Sequence, residues 1–304
     1  MNILLTGAFK YSDSQIKEIS DFGIDVTFLQ YEDSQFEFDS RKIEAVVCNG
    51  LFLHHNLAEF PSLKYIQLTS AGLDRVPINS IAERGIILHN ARGVYSVPIA
   101  EWVICKLLDC YKRSAYFIDR QRGHDWTKNR EILELSGKKA AVLGAGSVGM
   151  EISKRLECFG VGVIGYDVFT NTRPHFSEIR NISEFGTDIE DYDIVIITLP
   201  LTEETYHMFG LTLLEKLRNS SVIINVARGS IINEKDMIAF LERRCDVTAI
   251  LDVFEEEPLS TSSEIWSLPN VIVTPHNSFI SEGNNERMFG VIKTNLQNYL
   301  SQRQ

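Results

Sequence analysis

Four polar side chains that could take part in one reaction lie at the ends of apolar runs in the second half of the chain. Arg228 and His276 each lie just beyond one such run, and Asp252 and Glu257 both lie at or beyond the end of a third. An imidazole can exchange a proton near neutral pH, a neighbouring carboxylate favours its charged form, and a guanidinium can hold a carboxylate through paired hydrogen bonds. Each residue alone also fits a surface arginine, a solvated acidic turn or a structural histidine. Their joint placement is what favours a site.

The apolar runs predict buried strands, which would bring these side chains together. Unbroken apolar runs are typical of parallel sheets that are covered on both faces, and ligands of such sheets bind outside the carboxyl ends of the strands. The predicted strands of this second series lie at 138–144, 161–167, 193–200, 221–227, 247–253 and 271–276. Helical patterns separate most of them. The arginine, the carboxylates and the imidazole should therefore meet at one sheet edge.

An earlier series of apolar runs predicts another parallel sheet in the first third of the chain. Its predicted strands lie at 2–7, 25–29, 44–49, 65–70 and 85–90. Residues 97–118 then have helical spacing, and residues 281–300 form a plausible terminal helix. A chain of 304 residues is long for one core. The sequence therefore predicts an α/β protein of two domains.

The segment "AVLGAGSVGMEI" carries glycines at the spacing of a dinucleotide-binding turn. Gly144, Gly146 and Gly149 follow a predicted strand and precede a helical pattern, which is the context that this mechanism requires. Asp167 ends the next predicted strand, where a carboxylate can bind the ribose hydroxyls and repel a 2′-phosphate. NAD is therefore favoured over NADP, although Arg173 lies nearby and weakens that preference.

Charge and cysteine content narrow the class of protein. A net charge of −11 argues against nucleic-acid binding, which needs a basic surface. The cysteines are five, an odd number, and have no metal-like spacing, so we expect reduced thiols in a cytoplasmic protein and no metal site. The start of the chain resembles a first strand rather than a signal peptide, and no apolar run is long enough to span a membrane.

Several motifs in the same order resemble those of the D-isomer-specific 2-hydroxyacid dehydrogenases. They are "SAGLDRV" (70–76), "IAEWV" (99–103), "ELSGKKAAVLGAGSVG" (134–149), "LPLTEET" (199–205), "INVARGSIINE" (224–234), "LDVFEEEPL" (251–259) and "LPNVIVTPH" (268–276). The resemblance implies an NAD-dependent enzyme that interconverts 2-keto acids and D-2-hydroxy acids. Its catalytic residues would be Arg228, Glu257 and His276, where Glu257 is the glutamate immediately before Pro258.

The resemblance also assigns binding residues. The cofactor would be bound by Gly144, Gly146, Ser147, Val148, Gly149, Asp167, Leu199, Pro200, Thr205, Val226, Ala227 and Asp252. Among them, Ser147 and Val148 would face the pyrophosphate and Asp252 the nicotinamide. The substrate would be bound by Ser70, Ala71, Gly72, Leu51 and Arg228. Leu51 belongs to the loop 49–53, which offers no cation and favours an uncharged side chain on the substrate over a phosphate.

The family further implies a discontinuous domain arrangement. Residues 1–98 with 280–304 would form a flavodoxin-like substrate domain, and residues 99–279 a Rossmann-like NAD domain, with an active-site cleft between them. Members are commonly homodimers through the nucleotide domain. Two positions differ from the family pattern, since "NSFIS" follows His276 and Arg92 stands where a small residue or proline is common. The alternative is an NAD-sensing corepressor without catalytic activity, because such relatives keep much of the same constellation.

Overall fold

The computed structural model describes residues 1–302, which form two compact units. The first unit is Met1–Tyr95 together with the segment that begins at Ser281, and the second is Ser96–Ile280. Each unit is built on its own parallel sheet, as the apolar runs predict. No helix among residues 1–302 is both long and apolar enough to cross a membrane.

The first unit has a sheet of five parallel strands in the order β2-β1-β3-β4-β5. Its elements in this part of the chain are β1 (Asn2–Thr6), α1 (Asp13–Ser20), β2 (Asp25–Leu29), β3 (Ala45–Cys48), α2 (Leu51–His54), β4 (Tyr65–Leu68), α3 (Ile78–Glu83) and β5 (Ile87–His89). All residues of β3 and β4 are buried, because helices cover both faces of the sheet. Helix α1 begins at a reciprocal capping pair, Ser12 and Gln15, which satisfies backbone donors at its start.

The second unit has a sheet of seven parallel strands in the order β12-β11-β10-β9-β6-β7-β8. Its elements are α4 (Ser96–Tyr111), α5 (Ser114–Arg122), β6 (Lys139–Leu143), α6 (Ser147–Cys158), β7 (Gly162–Asp167), β8 (Glu178–Asn181), β9 (Ile194–Ile197), α7 (Leu211–Leu214), β10 (Val222–Asn225), α8 (Glu234–Arg243), β11 (Thr248–Leu251) and β12 (Val271–Val273). The strand order reverses between β6 and β9, and this switch point is where doubly wound sheets bind nucleotides.

The last helix, α9 (Asn284–Ser301), belongs to the first unit. It buries one stripe of side chains, Met288, Phe289, Ile292, Leu296 and Tyr299. These join Ile3, Leu5 and Val47 of the sheet in one hydrophobic cluster. The predicted terminal helix is therefore present, and its apolar spacing matches the face that it buries.

Two local predictions were wrong. The helical pattern at 97–118 is two helices, because Arg113 adopts a left-handed conformation (φ 54°) between α4 and α5. Strand β8 was missed, since only Ile179 of its residues is buried and the segment "EIRN" lacks an apolar run. Both differences lie away from the carboxyl ends of the strands that carry the candidate residues.

Candidate active site

The turn between β6 and α6 has the shape that a bound pyrophosphate requires. A Cβ atom added to Gly149 would lie 2.1 Å from the carbonyl oxygen of Gly144, so only glycine lets the helix approach the turn so closely. Gly144 itself has a positive φ of 96°. A Cβ atom on Gly146, in contrast, would meet nothing within 4 Å. Backbone at Gly146 therefore faces open space at the start of α6, next to Ser147 and Val148, and the residues present fit a dinucleotide.

Thr198 supports this turn and was missed by the sequence analysis. Its hydroxyl oxygen lies 2.9 Å from the carbonyl oxygen of Leu143 and 2.8 Å from that of Gly144. The hydroxyl thus ties the residue after β9 to the glycine turn after β6, the two strands at the switch point. Thr198 could have been identified from its position, as the polar residue between the apolar run of β9 and Leu199-Pro200.

Asp167 ends β7 and lies at the same turn. Its Oδ2 accepts a hydrogen bond from the backbone amide of Ala145 at 2.9 Å, and its Oδ1 accepts one from the amide of Phe169 at 3.1 Å. Arg173 lies 3.5 Å from Oδ2 and also donates to the carbonyl oxygen of Ala145. The arginine that weakened the preference for NAD is therefore paired with the carboxylate and lies beside it.

The other predicted cofactor residues follow strands β9 and β10 at the same edge. Thr205 donates its hydroxyl to the carbonyl oxygen of Pro200 at 2.7 Å, which closes the turn after Leu199. Val226 and Ala227 lie directly beyond β10 and are largely buried. The amide of Ala227 donates to the side-chain oxygen of Asn225 at 3.0 Å. In the strand order, these residues lie on one side of the switch point between β6 and β9, and Asp167 lies on the other side.

His276 and Glu257 form a contacting pair. The Nδ1 atom of His276 lies 2.7 Å from Oε2 of Glu257, and Oε1 of Glu257 accepts a hydrogen bond from the amide of Phe254 at 3.0 Å. About a third of each side chain is exposed. Because a carboxylate occupies Nδ1, that nitrogen carries a proton and Nε2 is the atom that can exchange a proton with a substrate.

Arg228 lies on the loop beyond β10. Its Nη1 donates to the carbonyl oxygen of Ala227 at 2.8 Å, and its own carbonyl oxygen accepts from the side-chain amide of Asn225 at 2.9 Å. A Cβ atom on Gly229 would lie 1.8 Å from the backbone carbon of Phe254. The chain after Arg228 therefore packs directly against the loop that carries Glu257, and only glycine permits that contact.

Asp252 holds the segment that carries His276. Its carboxylate is fully buried and accepts hydrogen bonds from the hydroxyl of Thr274 (2.5 Å) and from the amides of Asn277 (2.9 Å) and Ser278 (3.0 Å). Its carbonyl oxygen accepts from the amide of His276 at 2.8 Å. His276 has a left-handed conformation (φ 48°), which is costly for a residue with a side chain and needs such support.

We expect Asp252→Ala to destabilise the protein by about 3 kcal/mol, because three donors lose a buried charged acceptor. Turnover should fall as well, since the histidine segment loses its anchor. Urea denaturation and steady-state kinetics measure the two effects. Asp191→Ala, an exposed aspartate of the same unit, is the matched control. A loss below about 1 kcal/mol for Asp252→Ala would show that the anchor is unimportant.

The remaining glutamates of the acidic run do not contact His276 in the structure. Glu255 lies 2.9 Å from Nε2 of His207 and accepts a hydrogen bond from the amide of Glu234 at 2.8 Å. Burial, together with the charges of Glu255 and Glu256, raises the pKa of Glu234. Among residues 1–302 no group of three or more His, Cys, Asp or Glu side chains could hold a metal ion.

The predicted substrate residues of the first unit follow β4. The side-chain amide of Asn90 donates to the carbonyl oxygen of Ala71 at 2.6 Å, and the hydroxyl of Ser70 donates to that of Gly72 at 3.0 Å. These contacts fix the loop at the carboxyl end of the strand. The assignment of Leu51 to the substrate stays a prediction. Its side chain is fully buried in the hydrophobic cluster of this unit.

Comparisons with known proteins show which family the chain resembles. Residues 104–278 match the family model for the D-isomer specific 2-hydroxyacid dehydrogenase, NAD binding domain. A glyoxylate/hydroxypyruvate reductase of Arabidopsis thaliana is 31% identical over 250 residues, which cover 81% of this chain and 76% of that protein.

Solved structures share the fold. A D-isomer specific 2-hydroxyacid dehydrogenase family protein from Aeromonas salmonicida subsp. salmonicida has a TM-score of 0.85 and 24% identity, with 99% of this chain and 95% of that chain covered. An NADPH-dependent glyoxylate/hydroxypyruvate reductase from Sinorhizobium meliloti has a TM-score of 0.82 and 24% identity, with the same coverage of 99% and 95%.

Proposed function

Because this chain belongs to the D-isomer specific 2-hydroxyacid dehydrogenase family, we propose that it is an NAD-dependent oxidoreductase that interconverts a 2-keto acid and a D-2-hydroxy acid. The observation that carries the proposal is the 2.7 Å contact between His276 and Glu257, on a unit whose glycine turn fits a dinucleotide. Arg228 lies on the neighbouring loop, which packs against the loop of Glu257. The set combines a proton donor, its orienting carboxylate and a binding site for a carboxylate.

The roles follow from the chemistry of each group. Protonated His276 donates a proton from Nε2 to the keto oxygen as negative charge develops there, and Glu257 stabilises the imidazolium and fixes the ring. Arg228 binds the substrate carboxylate and keto oxygen with its planar fork. The family resemblance also assigns Ser70, Ala71 and Gly72 to the binding of the substrate carboxylate. When bound, NADH supplies the hydride. In the reverse direction, neutral His276 accepts the hydroxyl proton.

The residues proposed to hold NAD(H) surround the switch point. The backbone of Gly144, Gly146, Ser147, Val148 and Gly149 would bind the pyrophosphate, as backbone amides at a helix start bind anions. Asp167 would accept hydrogen bonds from the ribose hydroxyls. Leu199, Pro200 and Thr205 would line the adenosine side, and Val226, Ala227 and Asp252 the nicotinamide side. The similar structure from Sinorhizobium meliloti is that of an NADPH-dependent enzyme, so the fold alone does not decide the cofactor. In this chain the choice would depend on Asp167 and Arg173.

We expect Asp167→Ala to weaken NADH binding and to narrow the advantage of NADH over NADPH. The carboxylate lies between the amide of Ala145 and the guanidinium of Arg173, so its removal leaves that guanidinium for a 2′-phosphate. Fluorescence titration with each cofactor measures the change. Asp191→Ala is again the matched control. Equal or tighter binding of NADPH by the unaltered protein would contradict the proposal for NAD.

The loop after β3 supports a substrate without a phosphate group. The carboxylate of Glu32 accepts hydrogen bonds from the amides of Asn49 (2.7 Å) and Gly50 (2.6 Å) and from the hydroxyl of Thr6 (2.7 Å). An anion of the protein therefore already occupies the donors of this loop. A second anion placed there would meet a like charge and no remaining backbone donor from these two residues.

We therefore expect an uncharged, small or medium apolar side chain on the preferred 2-keto acid. The experiment compares kcat/KM for pyruvate, 2-ketoisocaproate, phenylpyruvate, glyoxylate, hydroxypyruvate and 3-phosphohydroxypyruvate. The phosphorylated acid should be the poorest substrate of this panel. If it is the best, Glu32 and the loop after β3 do not set the specificity, and Arg92 becomes the first residue to replace.

The proposed enzyme is a cytoplasmic homodimer. All five cysteines are free thiols, which fits a reducing compartment. An open groove of about 530 Å³ lies on the second unit and is lined by Ile104 and Leu108 of α4 and by Phe159 beyond α6. An exposed apolar groove of this kind is typical of a surface that another chain covers. Sedimentation of the purified protein tests the dimer.

A further inference from the structure

The first unit contains an open cavity of about 780 Å³. It borders the loop 70–72 through Asn90, and none of its lining residues is among those proposed to bind the substrate or the cofactor. It lies between the segment that follows β5 and one face of α9, and we refer to it as the β5–α9 cavity. All of its lining residues belong to the first unit. Its volume lies within the range of about 300–1,000 Å³ that is typical of small-molecule sites.

The charge of this cavity is opposite to that of the protein. Arg92 and Arg287 line it together with His89, and none of its lining residues is an aspartate or glutamate. The whole chain has a net charge of −11, so a cluster of cations without a carboxylate is unusual here. An anion in the cavity would meet two guanidinium groups and no like charge among the lining residues.

Arg287 is held in place by other parts of the same unit. Its Nε donates to the carbonyl oxygen of Val94 at 2.9 Å, and its Nη2 donates to the side-chain oxygen of Asn284 at 2.9 Å. A guanidinium that is already ordered loses little conformational freedom when it binds a ligand. Arg287 is therefore a fixed positive charge at the cavity, and Arg92 is an exposed one.

The rest of the lining is partly apolar and partly polar. Leu88 and Val291 contribute aliphatic surface, and Gly290 leaves a gap in the wall at α9. The polar groups are those of Asn90, Thr294 and Asn295. A Cβ atom on Gly290 would meet nothing within 4 Å. The cavity thus joins a cationic part to an aliphatic part. A ligand that matches both has a negatively charged group and an apolar body.

We propose that the β5–α9 cavity binds an organic carboxylate with an aliphatic body, whose anionic group is held by Arg92 and Arg287. Arg92 can bind both oxygens of a carboxylate with its planar fork. Arg287 contributes a fixed positive charge, because its Nε and Nη2 already donate to Val94, Ser281 and Asn284. The site depends on residues of the first unit alone, and its ligand need not be reduced or oxidised. The proposal therefore stands or fails separately from the dehydrogenase activity.

Isothermal titration calorimetry of the full-length protein with hexanoate tests the site, with hexanol as the uncharged probe of the same chain length. We expect saturable binding of hexanoate that weakens as salt is added, and binding of hexanol at least about tenfold weaker, since each tenfold step corresponds to about 1.4 kcal/mol. No saturable binding of hexanoate, or equal binding of the two probes, would overturn the proposal.

Variants locate the bound probe. Arg92→Gln should weaken hexanoate about tenfold or more, whereas Arg41→Gln, a surface arginine of the same unit, should not. Gly290→Leu should abolish binding by filling the gap, while Gly290→Ala should retain it. Both substitutions replace a glycine within a helix, so neither should lower the melting temperature. Unchanged binding in Arg92→Gln and Gly290→Leu would place hexanoate elsewhere and overturn the assignment.

Discussion

Replacing His276 by alanine should lower the turnover of keto-acid reduction by about 10²–10⁴-fold, which is the usual contribution of a general acid. The side chain contacts Glu257 and lies outside the glycine turn, so NADH binding should be retained. The change should appear in kcat rather than in cofactor affinity. Steady-state kinetics and fluorescence titration with NADH separate the two quantities.

The chain supplies a matched control for this substitution. His175 also has a left-handed conformation, and its Nδ1 lies 2.7 Å from Oε2 of Glu157, with a similar exposed fraction of the ring. It lies between β7 and β8, away from Arg228 in the strand order. His175→Ala should therefore leave turnover nearly unchanged. Near-normal turnover in His276→Ala would mean that His276 has a structural role and is not the proton donor.

Replacing Glu257 by glutamine should move the pH dependence of the reaction to lower pH. Reduction requires the imidazolium form of His276, and the carboxylate at 2.7 Å stabilises that charge. Glutamine removes the negative charge beside the ring. The fall of the reduction rate with rising pH should therefore move to lower pH, and the rate at neutral pH should decrease.

Oxidation of the hydroxy acid, the reverse reaction, checks the direction in which the pH profile moves. Oxidation of the hydroxy acid requires neutral His276, so in Glu257→Gln its rate should begin to rise at lower pH than in the unaltered protein. The pH profiles of kcat/KM in both directions measure this. Glu157→Gln, the partner of the control histidine, should leave both profiles in place. A profile that does not move in Glu257→Gln would mean that this carboxylate does not act on the proton donor.

The architecture was predictable because burial leaves a plain signal in the sequence. Strands such as Ile194–Ile197 and Val222–Asn225 are buried throughout, and their unbroken apolar runs identify them. Strand Glu178–Asn181 carries no such run, because it lies at the sheet edge. The break between α4 and α5 depends on the left-handed backbone of Arg113, and the helical spacing of the flanking residues conceals it.

The site was predictable in part for a similar reason. Arg228, Glu257 and His276 lie beyond neighbouring strands, and parallel pairing alone brings such residues to one edge. Hydrogen-bond networks were not predictable, since they depend on side-chain directions. The sequence placed Asp252 near the nicotinamide, but it did not reveal that the buried carboxylate also holds the segment that carries His276. The burial of Leu51 likewise depends on packing that a loop sequence does not reveal.

The most direct test of the central claim is to follow NADH oxidation with the panel of 2-keto acids and to determine the chirality of the product by chiral chromatography. We expect that at least one acid is reduced, that one NADH is oxidised for each molecule of product, and that the product is the D-2-hydroxy acid. NADH that binds but is not oxidised by any acid of the panel would contradict the account and favour a cofactor-sensing protein. An L-2-hydroxy acid as the product would contradict it as well.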